Sequence, residues 1–138
     1  MLEPSNFPRY DRTELLADRA VHVVGILGAL SGIAWLIAHL PPEAGAKLAI
    51  SIGIYGFGLL CMLTASALYN VAADGHIKAR LRRLDHAMIF VMIAASYTPF
   101  ALIAFPEFSG HLLFGMIWCL AIAGILLKLL ATPRTNRW

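Results

Sequence analysis

Four long stretches without a single Asp, Glu, Lys or Arg dominate this chain of 138 residues. They cover 20–42, 48–73, 86–106 and 108–127. As a helix, roughly 20 residues span the ~30 Å hydrocarbon core of a bilayer. A soluble helical protein would instead need amphipathic helices with a charged face, which these stretches lack. The sequence therefore predicts an all-α, polytopic membrane helical bundle with four transmembrane helices.

The basic residues predict how this bundle is oriented. Ten of the eleven Lys and Arg residues lie before the first span, between the second and third, or after the fourth, and only Lys47 lies on the other side. The positive-inside rule then predicts a multi-pass protein of the cell membrane with both termini in the cytoplasm. We expect a cytoplasmic tail at 1–13 and a transmembrane domain at 14–138. Within that domain the four spans are expected at about 18–40, 46–70, 85–105 and 110–131.

Composition also bounds the partners. The net charge of +3 reflects topology, and the basic residues form no patch interleaved with aromatics, so no nucleic-acid partner is expected. Membrane lipids are the expected partners. Small residues, including a Gly28-x-x-x-Gly32 spacing and Ser51, Gly53 and Gly56, predict helix contact faces in the first two spans. These faces could close one bundle or pair two chains, which leaves a homo-oligomer open.

Polar side chains at membrane depth are costly, so those that are retained are candidates for function. Three groups fall at the cytoplasmic ends of the first three spans: Glu14, Asp18 and His22; Ser66 and Asn70; Asp85 and His86. Each has a purely structural alternative, namely helix-end charge, hydrogen bonding between helices, or an ion pair with Arg80, Arg82 or Arg83. Because all three reach one membrane depth from separate helices, the sequence predicts a shared polar pocket facing the cytoplasm.

Several motifs resemble those of the hemolysin III family, bacterial relatives of the progestin and adipoQ (adiponectin) receptors. ELLADRAVHVVG at 14–25 resembles the opening element of the family, and SALYN at 66–70 lies where the family has Ser-x-x-Tyr-His. The strongest similarity is LRRLDHAMIFVMIAASYTPF at 81–100. The resemblance implies that the chain is the first part of a seven-helix family fold, truncated after the fourth helix. It leaves open a fragment, a truncated product or a four-helix variant.

The resemblance also implies a zinc site in full-length relatives, near the cytoplasmic face. By family position Ser66 and Asp85 are the candidate catalytic residues. Asn70 occupies the usual position of a histidine ligand, however, and no HxxxH motif is present. The metal ligands of this chain are therefore unknown, and no cofactor is expected. The predicted function is a hemolysin III-like integral membrane protein with a polar pocket. The alternatives are a zinc-dependent membrane hydrolase, a lipid-responsive receptor-like protein, or a cytolytic or channel-like protein.

Overall fold

The computed structural model describes residues 12–73 and 75–130, and within these ranges the protein is entirely helical. The four helices are α1 (Arg12–Ala38), α2 (Ala46–Val71), α3 (His76–Ala104) and α4 (Glu107–Leu130). All four are long and apolar enough to cross a membrane. The predicted all-α architecture with four membrane-spanning helices is therefore confirmed.

The helices pack in chain order. Contacts join α1 to α2, α2 to α3 and α3 to α4, and in the described part of the chain no other pair of helices is in contact. Short connections make successive helices antiparallel. The result is an open array, in which α1 and α4 each have one neighbour and present most of their apolar surface outward.

Small residues at a spacing of seven form the contact between α2 and α3. Ser51, Gly58 and Ala65 are buried on α2, and Ala87, Ala94, Ala95 and Ala101 are buried on α3. A Cβ placed on Gly58 would lie within 3.0 Å of the Ala95 Cβ. In lipid, close backbone approach replaces the hydrophobic effect as the source of helix association, so this seam holds the centre of the array together.

The glycine spacing in the first span does not mark a contact between the described helices of this chain, and pairing of two chains through it stays a prediction. Among the described residues nothing lies within 4 Å of a Cβ built on Gly28, Gly32 or Gly53. Instead, Gly25 faces Leu63 and Gly56 faces Ile33 across the α1–α2 seam. Across this seam each helix places one glycine opposite a larger side chain of the other helix, whereas Gly28 and Gly32 have no described residue within 4 Å of a Cβ built on them.

A polar contact fastens α4 to α3. The Trp118 indole donates a 3.1 Å hydrogen bond to the Thr98 hydroxyl, which itself donates to the Ala94 carbonyl at 2.8 Å. Thr98 is fully buried and precedes Pro99, which lies inside α3 as expected. The hydrogen bond between the indole and the hydroxyl satisfies both polar groups, so neither is left without a partner in the hydrocarbon.

Candidate functional site

One end of the array collects nearly all the basic residues of the described helices. Because successive helices are antiparallel, this end contains the starts of α1 and α3 and the ends of α2 and α4. We call it the basic end, and its basic residues are Arg12, Arg19, Lys78, Arg80, Arg82, Arg83 and Lys128. Lys47 lies at the opposite end, where its ammonium contacts the Glu107 carboxylate at 2.7 Å. The sequence-predicted polar groups all belong to the basic end.

His22 joins α1 to α2 at the basic end. Its Nδ1 donates to the Asp18 carbonyl at 2.7 Å, one helical turn earlier, and lies 3.6 Å from an oxygen of the Asp18 carboxylate. In a neutral imidazole this leaves Nε2 as the acceptor, and the Asn70 amide approaches it at 3.4 Å. The His22 side chain is only 14% exposed. The predicted pair of polar groups from the first two spans therefore meets.

A cavity of about 410 Å³ opens beside this contact, and we call it the first cavity. It is bounded by three helices. The lining residues are Glu14, Leu15, Ala17, Asp18 and Val21 of α1, Tyr69 and Asn70 of α2, and Lys78 of α3. Two carboxylates one turn apart thus face a wall that carries an amide, a phenol and an ammonium group, with aliphatic side chains between them. Its size lies within the range typical of small-molecule sites.

A second cavity of about 320 Å³ lies on the other side of the same seam. Asn70 lines both cavities, and His22 lines the second one together with Arg19. The rest of its lining is Val23, Ile26, Ala67 and Val71, which makes it mainly apolar. The His22–Asn70 contact therefore forms a partition, and the polar residues concentrate on the side of the first cavity.

Ser66 and Asp85 line neither cavity, and no hydrogen bond joins them within the described residues. Helical geometry nevertheless puts them below the first cavity. Ser66 precedes Asn70 by four residues, one turn and about 6 Å deeper along α2. Asp85 follows Lys78 by seven residues, which returns it to the same face of α3 about 10.5 Å deeper. Their predicted catalytic roles stay predictions.

His86, the other predicted polar residue of the third span, does not reach the pocket. The His86 Nδ1 donates to the Arg82 carbonyl at 2.5 Å, within its own helix. His86 lines neither of the two cavities. Asp85 forms no ion pair with the arginines of α3 in the part of the chain that the structure describes, so the expected structural alternative of such a pair is not realised there.

Two polar residues of the first cavity, Tyr69 and Lys78, are not among the sequence-predicted site residues. Lys78 was used only to orient the protein, yet its ammonium lies 5.9 Å from the centre of the Tyr69 ring and both side chains line the first cavity. The spacing of seven between Lys78 and Asp85 was a signal for a shared helix face. Tyr69 stands at the tyrosine position of the SALYN motif, but aromatic residues next to polar ones are common at membrane interfaces, so that position alone does not predict a site residue.

The zinc site implied by the family resemblance does not fit the described residues. Residues 12–73 and 75–130 contain no group of three or more His, Cys, Asp or Glu side chains that could hold a metal ion. The group facing the His22 Nε2 atom is the Asn70 amide, a poor zinc ligand. That the chain binds no zinc stays a prediction.

Fold and polar groups together define a class: a polytopic helical membrane protein with a polar cavity at one end. A family model described as haemolysin-III related matches residues 14–138, and the chain belongs to this family. It is 29% identical over 121 residues to Hemolysin-3 of Bacillus cereus, covering 88% of this chain and 55% of that protein. It is 30% identical to the Hemolysin-3 homolog of Bacillus subtilis (strain 168), covering 88% and 57%.

The chain thus spans about half the length of the curated relatives it matches. No solved structure matches it.

Proposed function

We propose that this haemolysin III family member is a cell-membrane protein whose activity is ligand binding in the first cavity, at the cytoplasmic face. The distribution of basic residues supports this orientation. Within the described helices seven Lys or Arg residues lie at the basic end and one, Lys47, lies at the other. Positively charged segments are retained in the cytoplasm during insertion, so both termini face that compartment.

The single observation that carries the proposal is the composition of the first cavity. Glu14, Asp18, Asn70 and Lys78 come from three different helices and line one space of about 410 Å³. Charged groups cost less at the interface than at the bilayer centre, so the feature that points to a site is their convergence from three helices on one space. A concave site with a few convergent polar groups and apolar walls is typical of ligand binding.

Ligand binding is favoured over metal-dependent hydrolysis, because the residues described do not offer a set of three metal ligands. It is also favoured over a conducting pore. A pore needs polar groups at several depths, whereas the three sequence-predicted polar groups lie at the basic end and α4 is almost wholly apolar between Leu112 and Leu127. The Bacillus cereus relative is named Hemolysin-3, and that name refers to the relative and assigns no lytic activity to this chain. Release of a trapped dye from liposomes would test lysis by this chain.

Two experiments test the proposal. Reporter fusions after residues 43 and 109 should report the outside of the cell, and a fusion after residue 79 should report the cytoplasm. The opposite pattern would place the cavity on the external face and refute the orientation.

Access to the cavity is tested by cysteine labelling in a background where Cys61 and Cys119 are replaced by serine. Val21 lines the first cavity, whereas Leu120 on α4 is 70% exposed and lines neither cavity. A membrane-impermeant maleimide added from the cytoplasmic side should label Val21→Cys and leave the control Leu120→Cys unlabelled, because lipid covers that surface. Equal labelling of both, or of neither, would contradict a water-accessible cavity.

A further inference from the structure

Resting on the proposed function, we propose a ligand class for the first cavity: a primary ammonium group carried on a phosphate ester. The phosphoethanolamine headgroup of a membrane phospholipid has this chemistry, and so does free phosphoethanolamine.

The charges of the lining select a cationic group with an anionic neighbour. Glu14 and Asp18 are separated by four residues and therefore lie one above the other on α1. Lys78 reaches the same cavity from α3. The lining therefore presents two carboxylates on the α1 wall and one ammonium group on the facing wall, within an end of the protein that is otherwise basic. A lone anion would meet both carboxylates, whereas a zwitterion can place its ammonium toward α1 and its phosphate toward Lys78.

Hydrogen bonding distinguishes a primary from a quaternary ammonium. Carboxylates and an amide oxygen accept hydrogen bonds, and charge-assisted N–H···O bonds are about twice as strong as neutral ones. Glu14, Asp18 and Asn70 supply such acceptors. A quaternary ammonium has no N–H to donate, and aromatic cages are its usual partners. The first cavity offers one ring, Tyr69, and that ring already faces the Lys78 ammonium at 5.9 Å.

The depth of the cavity suits a headgroup. The charge-free stretch of α1 begins at residue 20. Asp18 lies two residues before it, which is about 3 Å along the helix. The carboxylates thus lie at the level where headgroups meet the hydrocarbon. Val21 lines the cavity and is 68% exposed, so the cavity wall continues into the outer apolar surface of α1. Acyl chains can follow that surface while the headgroup occupies the cavity.

The test compares lipids by native mass spectrometry of the full chain in detergent. Phosphatidylethanolamine and phosphatidylcholine with identical acyl chains are titrated, and the bound fractions give relative affinities. We expect phosphatidylethanolamine to bind about tenfold more tightly, as one added charge-assisted interaction would give. The double variant Glu14→Gln, Asp18→Asn keeps side-chain size and should lose the preference. The control Glu43→Gln removes a carboxylate from the α1–α2 connection, outside both cavities, and should retain it.

Free phosphoethanolamine is added as a competitor to identify the source of the ligand. If millimolar phosphoethanolamine displaces the lipid, the ammonium ester is recognised whether or not it carries acyl chains. If it does not, the site recognises the lipid form. Equal binding of the two lipids, or a preference that survives the double variant, would overturn the proposal. Cytoplasmic labelling of Val21→Cys together with equal lipid binding would leave the proposed function standing and remove only this ligand.

Discussion

Replacing Gly58 by alanine should destabilise the helix array, although the same change usually stabilises a helix. The Cβ that alanine adds would lie within 3.0 Å of the Ala95 Cβ, a separation that real Cβ atoms essentially never show. Overpacking a tight contact costs about 1–3 kcal/mol, and the gain in helix propensity returns at most about 1 kcal/mol. We therefore expect a net loss of about 1–2 kcal/mol in the free energy of unfolding.

Gly28→Ala is the matched control. Nothing among the described residues lies within 4 Å of a Cβ at Gly28, so only the propensity term applies. That variant should be more stable than the original chain by about 0.4–1 kcal/mol. Both changes add one methyl group to a glycine within a membrane-spanning helix, so their difference isolates the packing contact.

The measurement is unfolding by increasing SDS in mixed micelles, followed by the loss of helical circular dichroism. A second variant, Ala95→Gly, removes the atom that the new methyl group meets. Combined with Gly58→Ala it should recover about 1–2 kcal/mol relative to the sum of the single changes. An unchanged stability for Gly58→Ala, or no coupling with Ala95→Gly, would show that the two helices do not meet there. A loss for Gly28→Ala equal to that for Gly58→Ala would indicate that a further helix packs on α1.

Three other expectations concern metal, the α3–α4 contact and the ion pair. Metal analysis of dialysed protein should find no stoichiometric zinc, and one zinc per chain would show that other residues complete a site despite Asn70. Trp118→Phe removes the hydrogen bond to Thr98 and should lower stability by about 0.6 kcal/mol in the same SDS assay, with no change expected when Thr98 is already valine. Lys47→Gln breaks the exposed contact with Glu107 and should lower stability only slightly, an effect that 1 M salt should abolish.

The four spans could be predicted from the sequence because hydrocarbon excludes charge. This constraint acts on every residue of a span and does not require knowledge of its neighbours. Helix ends are less constrained. α1 begins at Arg12 and α3 at His76, well before the apolar stretches at 20 and 86, since a helix continues readily into the interface where water and headgroups solvate its charges.

Which side chains meet across helices could be predicted only in part. The order of the spans predicts that His22 and Asn70 lie at the same membrane depth, and in the structure the two side chains are in contact. The choice among glycines could not be made, because Gly28 and Gly56 look alike in sequence and differ only in what faces them. Lys78 was missed for a related reason. A basic residue in a short connection explains orientation by itself, and only the position of α3 beside α2 brings it to the first cavity.

The attachment of α1 links stability to the first cavity. Among the described helices α1 contacts only α2, and it contains no buried residue. The pairs that join the two helices include Gly25 with Leu63, Ile33 with Gly56, and His22 with Asn70. Its carboxylates form one wall of the cavity, while the facing amide and ammonium belong to α2 and α3. Movement of α1 therefore changes the distance between the opposing charges. A ligand that binds both walls links α1 to α2 and α3, so it must stabilise the packed array by an amount set by its affinity.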